Sequence, residues 1–256
     1  KSLSIAAYGT ISLIVTTVTF FIFFLGLDFY NYSHRQIIDS EINKYQYLVN
    51  QFLFHLISNF LIAPFLFFVF KNGILPNEYA YSIFAIIILE HLGQECFRFF
   101  NLFNKPNVAN ISLLIRTGLW IVLLYIIEIF VFGKEMNIHL ILRYWIFGSS
   151  LSLVYSFFMA IISSRGDLRK IPWFTFDWSW LGRGIKISMP FFLGTISYKI
   201  IEYSDRYVID WFLGKEQVGI YSFFTNFSNI INVVINTIVI TLLVPNLLRT
   251  VKEGHL

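Results

Sequence analysis

Charge is scarce in this chain. Only 13% of its 256 residues are Asp, Glu, Lys or Arg, against about 25% in a typical soluble domain. That is too little polar surface to cover a water-soluble globule, which counts against a soluble enzyme, a DNA-binding domain and a disordered chain. Cysteine is nearly missing as well: Cys96 stands alone, so no intrachain disulfide can form, and a lone Cys in an apolar run reads as a small packing residue. There is no Gly-rich phosphate loop, no nucleophile elbow and no Cys–His constellation. Nor is any loop long enough to house a catalytic domain. The expectation is a protein that is not an enzyme and uses no cofactor. Repeats and low-complexity tracts are likewise missing.

What the chain has in quantity is hydrocarbon. Apolar residues make up 57% of it, and the mean hydropathy is +0.67. Seven spans can be drawn, at 3–27, 47–70, 79–100, 111–132, 138–163, 185–211 and 218–243. Each is long enough to cross a bilayer as a tilted helix. The runs are apolar on all sides, whereas barrel strands alternate over about ten residues. The fold class is therefore all-α, a polytopic membrane helix bundle. Pro64 and Pro190 fall inside spans, where a kink is expected.

The longest connection, 164–184, opens with Arg165, Asp167, Arg169 and Lys170 and continues with Trp173, Phe174, Phe176, Trp178 and Trp180. Aromatic residues beside a basic run mark a membrane–water interface, so this segment reads as a surface linker between two halves. Lys and Arg number twelve on one side of the seven-span topology and four on the other. The positive-inside rule makes the twelve-side cytoplasmic and accounts for the net charge of +4 without a nucleic-acid partner. Residue 1 then begins outside. That position, the missing initial Met and the early stop after Pro245 suggest a partial chain whose first helix is absent.

Ionisable groups inside a membrane are costly and need a partner or a water-filled cavity. Lys199, Glu202, Arg206 and Asp210 are 3, 4 and 4 residues apart and share one helical face. The Glu202–Arg206 and Arg206–Asp210 spacings suit pairing. The face reads equally as a structural ion-pair ladder and as the lining of a transport cavity. Asn226, Asn229, Asn232 and Asn236 form a second stripe, which either bonds helices together or lines a hydrated interior able to hold sugar hydroxyls. In the third span His91, Glu95 and Arg98 share a face beside Glu90. Glu90, His91 and Glu95 are candidates for ion coupling. One His among these acids is too few for zinc or iron, and no metal is expected. Arg98 and Arg116 lie near the cytoplasmic ends of their helices, where snorkelling competes with capture of a diphosphate headgroup. His55, alone in its span, reads as a packing residue.

Residues 203–224, YSDRYVIDWFLGKEQVGIYSFF, carry three elements in order: SDRY, FLG and VGIYS. With Leu25-Gly26-Leu27-Asp28 followed by His34-Arg35, and with 187–194 after the linker, they resemble O-antigen and polysaccharide flippases. These belong to the multidrug/oligosaccharidyl-lipid/polysaccharide exporter superfamily. The resemblance implies two six-helix halves working by alternating access, of which this chain supplies helices two to eight. Residues 1–163 would be the first half-bundle lacking its first helix, 164–184 the interfacial cytoplasmic linker and 185–256 the start of the second half-bundle. It implies export of undecaprenyl-diphosphate-linked oligosaccharide across the bacterial inner membrane, with membrane lipids and other polysaccharide-assembly proteins as further partners. Arg35, Asp205 and Arg206 fall on recurrent family positions; Asp205, on a different face from Glu202 and Arg206, would have a structural or gating role. Arg35, Arg98, Arg116, Lys199, Glu202, Arg206, Asp210 and the four Asn are the cavity candidates. A drug or cation exporter of the same superfamily is the near alternative, and a membrane-embedded polymerase or glycosyltransferase the distant one.

Overall fold

The computed structural model describes residues 3–40, 43–163 and 176–238, with side chains followed to Ile231 except at Leu61. Ten α-helices make up these residues, and no strand occurs among them. They are α1 Ile5–Gly26, α2 Tyr30–Asp39, α3 Lys44–Leu61, α4 Ala63–Lys71, α5 Ala80–Leu102, α6 Pro106–Leu114, α7 Trp120–Leu124, α8 Ile138–Ser163, α9 Trp178–Leu213 and α10 Lys215–Ile238. Two π-helical segments, Ile115–Leu119 and Tyr125–Val131, join α6 to α7 and extend α7. The basic and aromatic linker residues 164–175, and the last span beyond Ile238, lie outside the described residues.

The protein is a polytopic helical membrane bundle. Among the described residues four stretches are long and apolar enough to cross a bilayer: Ile5–Gly26, Lys44–Lys71, Pro106–Val131 and Ile138–Ile162. That is fewer than the seven spans drawn from sequence, and the reason is chemical. Each of α5, α9 and α10 carries the acids, bases or amides singled out above, which dilute its apolar character.

Local chemistry explains the breaks. α3 and α4 form one apolar stretch interrupted at Ile62, because Pro64 enters the first turn of α4 and has no N–H to continue the ladder. At Pro190, by contrast, α9 is a single helix of 36 residues, and it starts at Trp178 rather than 185. At 1.5 Å per residue this exceeds the roughly 30 Å hydrocarbon core. α1 ends on Leu27 and Asp28, both with positive φ (46° and 48°), a conformation unfavourable for side chains with a Cβ. α9 gives way to α10 at Gly214, whose φ of 82° only glycine adopts without strain.

Two compact units are distinguishable: Leu13–Asp205, and Ser4–Ser12 with the residues from Arg206 on. In the first, α5 and α8 form the most extensive helix pair. Ser112 on α6 shares hydrogen bonds of 2.8 Å with Ser152 and Ser156 on α8. An aromatic cluster ties the start of α9 to α2 and α3. Trp180 is 1% exposed, stacks on Tyr47 at 5.3 Å and meets Phe29 and Tyr32 edge-on or tilted. Trp180 is thus a core residue and not the interfacial residue its neighbours suggested. Trp178, 69% exposed, keeps an outward position. In the second unit the first turns of α1 pack on α10, where Ser12 donates to Ser222 at 2.6 Å and Asn226 to the Tyr8 hydroxyl at 3.0 Å.

Candidate functional site

The polar helix α5 serves two networks on two of its faces. Glu90 and Gln94, one turn apart, point towards α8 and the first π segment. Glu90 Oε1 accepts from Trp145 Nε1 at 2.8 Å and from Ser149 Oγ at 2.7 Å. Arg116 donates to the Glu90 carbonyl at 2.8 Å and to Gln94 Oε1 at 3.0 Å, with its Nε 3.6 Å from Glu90 Oε2. Arg116 and Glu90 are 5% and 7% exposed. The arginine therefore does not snorkel. It reaches inward because Gly93 leaves room: a Cβ there would lie 2.8 Å from Arg116 Cδ.

The second network joins α5 to α3 and α2. His91 Nε2 lies 3.2 Å from His55 Nδ1, and His55 Nε2 lies 3.0 Å from Glu95 Oε2. The other carboxylate oxygen pairs with Arg98, whose guanidinium also sits 4.1 Å above the Tyr30 ring. Gln51 donates to Glu95 Oε2 at 3.5 Å. His55 is 3% exposed, and far from being a solitary packing residue it is the central link of the chain. Sequence spacing could not show this, because the link is made between helices. Arg98 too is held by its neighbours rather than extended to the interface. Although two imidazoles meet here, they stand in series with Glu95, hydrogen-bonded to each other and in ion-pair contact with the carboxylate. Among the described residues no group of three His, Cys, Asp or Glu is arranged to hold a metal ion.

Both π segments carry one buried ionisable residue. Arg116 lies in the first; Glu128 lies in the second, bonded to Lys134 at 2.7 Å and to the Tyr144 hydroxyl at 3.0 Å. The wider turn re-aims side chains, and such segments recur at functional sites. Glu128 was missed from sequence, although a solitary acid in an apolar run is itself a signal.

On α9 the carboxylates take partners other than those the spacing favoured. Glu202 pairs with Lys199 at 2.6 Å and Asp210 with Lys215 at 3.3 Å. Lys199 also lies over the rings of Phe23, Tyr198 and Tyr203. Arg206 is 8% exposed, and its Nε has no hydrogen-bond partner among the described residues. Arg35 is exposed on α2, and Asn226 and Asn229 are exposed on α10. The side chains of Asn232 and Asn236 lie outside those described.

A cavity of about 380 Å³ lies among α2, α3, α5 and α8. His34, Gln51, His55, Glu95 and Ser156 form its polar wall, and Leu and Phe side chains dominate the rest. Burial lowers the pKa of His34, so the imidazole on α2 that lines this space favours its neutral form.

The sequence of residues 1–251 matches the family model of polysaccharide biosynthesis proteins. The chain belongs to this family. The match takes in every helix described above, and with them both α5 networks, the α9 ion pairs and the cavity. Membership places the chain among membrane proteins of polysaccharide biosynthesis and agrees with the resemblance carried by SDRY, FLG and VGIYS. No curated protein and no solved structure matches the chain.

Proposed function

We propose that this polysaccharide biosynthesis protein is a flippase that moves undecaprenyl-diphosphate-linked oligosaccharide across the bacterial inner membrane. The supporting observation is Arg206, a buried guanidinium whose Nε is unpartnered while the carboxylates one turn to either side are engaged by Lys199 and Lys215. A buried cation with spare donor capacity suits an anionic diphosphate, to which guanidinium binds through paired hydrogen bonds. A cationic cargo would call for unpaired interior acids. Here Glu90, Glu95, Glu202 and Asp210 each face a cation, which favours the flippase over a drug or cation exporter.

We read the protein as a transporter rather than an enzyme, because the described connections between α4 and α5, α7 and α8, and α9 and α10 are all short. Of the coupling candidates, Glu90 is tied down by Arg116, Trp145 and Ser149. The chain His91–His55–Glu95 is the part suited to carrying a proton, since its three side chains stand in series, 3.2 and 3.0 Å apart, between α5 and α3. The test is Arg206→Ala, with Arg206→Lys as partner variant, in the full protein. Surface polysaccharide should fall while the protein stays in the membrane, and Lys should restore it only in part because it cannot form the guanidinium's paired bonds. Unchanged polysaccharide in Arg206→Ala would remove this residue from the binding site and the main support for the reading.

A further inference from the structure

We infer that the cavity among α2, α3, α5 and α8 holds one acyl chain of an anionic membrane phospholipid, with the headgroup over Lys44. This site is separate from Arg206 and does not rest on the flippase reading.

The walls come from three helical faces at spacings of three and four: Leu48, Gln51 and His55 on α3, then Leu92, Cys96 and Phe99 on α5, with Leu153, Phe157 and Ala160 on α8. Two wall residues, Phe52 and Phe157, are 51% and 70% exposed, so the space opens on the outer surface of the unit, where a membrane protein meets lipid. Its volume is at the lower end of the roughly 300–1,000 Å³ of ligand pockets. It suits a single hydrocarbon chain and is too small for a long polyprenyl tail. The polar part of the wall does not oppose such an occupant. Both Glu95 oxygens are engaged, one by Arg98 and the other by His55 and Gln51.

The charge at the rim decides which lipid. Lys44 opens α3 one turn before Leu48. Its ammonium lies 4.6 Å from the centre of the Phe103 ring, and Phe103 packs at 4.7 Å on Phe99 of the wall. A cation is thus held one ring away from an apolar chamber. Lys44 is on the side that holds twelve of the sixteen Lys and Arg counted in the topology. That side faces the anionic leaflet, where basic pockets between helices bind lipid headgroups.

The test uses the full protein in lipid nanodiscs and phosphatidylglycerol bearing a diazirine near the end of one acyl chain. Crosslinks should fall on residues 92–102 of α5 and 153–160 of α8. Ala160→Trp, which fills the chamber, should abolish them. Lys44→Gln should weaken them about fivefold, the factor for ~1 kcal/mol from one cation at the membrane surface. Cys96, the chain's only cysteine and a wall residue, gives a readout that needs no substitution. Its modification by N-ethylmaleimide should be slower in phosphatidylglycerol than in phosphatidylcholine. Crosslinking no stronger here than on lipid-facing α4, or equal Cys96 rates in both lipids, would overturn the assignment. So would crosslinking obtained only with a polyprenyl phosphate probe.

Discussion

Replacing Arg116 by Met removes a buried charge while keeping most of the side-chain volume. It leaves Glu90 with Trp145 and Ser149 on one oxygen and without a cation. In soluble proteins, losing one partner of a buried ion pair costs about 3–5 kcal/mol. Interhelical hydrogen bonds in membranes average only about 0.6 kcal/mol each. Two such bonds are lost here, and the orphaned carboxylate is the larger part, so roughly 2–4 kcal/mol is expected. For a chain of this size each kcal/mol corresponds to about 2–4 °C in Tm, giving a drop of roughly 5–15 °C. Heating a detergent-solubilised fluorescent fusion and following the folded fraction by size exclusion measures this. Arg35→Met is the control, because Arg35 is exposed and such a change stays within about 0.5 kcal/mol. In a cycle with Glu90→Gln, the double variant should lose less than the sum of the singles, by about 0.5–3 kcal/mol. If Arg116→Met matches the Arg35 control, or the double variant is additive, the ion pair contributes nothing and the account of α5 is wrong.

Two further outcomes follow from the same geometry. Gly93→Ala should destabilise, although Ala is the better helix former by about 1 kcal/mol, because the new Cβ drives Arg116 from its place; a gain in Tm would show that Arg116 adapts freely. In a Cys96→Ser background, Lys215→Cys should react with a membrane-impermeant maleimide added outside intact cells. Labelling only after permeabilisation would invert the topology drawn from the twelve-to-four distribution of Lys and Arg.

The amino-acid sequence by itself determined the helical class, the membrane setting and the family. Each is a sum over many residues, so no single contact can overturn it. It also located α8 at 138–163 to the residue and the break at Pro64, since those depend on the length of an apolar run and on a missing N–H. It picked out Glu90, His91, Glu95, Arg98, Arg116, Lys199, Glu202, Arg206 and Asp210 because charge inside a hydrophobic run is conspicuous. Partners were another matter. Spacing along a helix says which side chains share a face, and nothing about which neighbour that face meets or at what depth. Only the tertiary structure placed His55 between His91 and Glu95, turned Arg116 inward over Gly93, and drew Trp180 from the linker into the core. Glu202 pairs with Lys199 three residues back on the same helix, whereas Asp210 pairs with Lys215 at the start of α10, a contact that needs the turn at Gly214 and that spacing along α9 does not show.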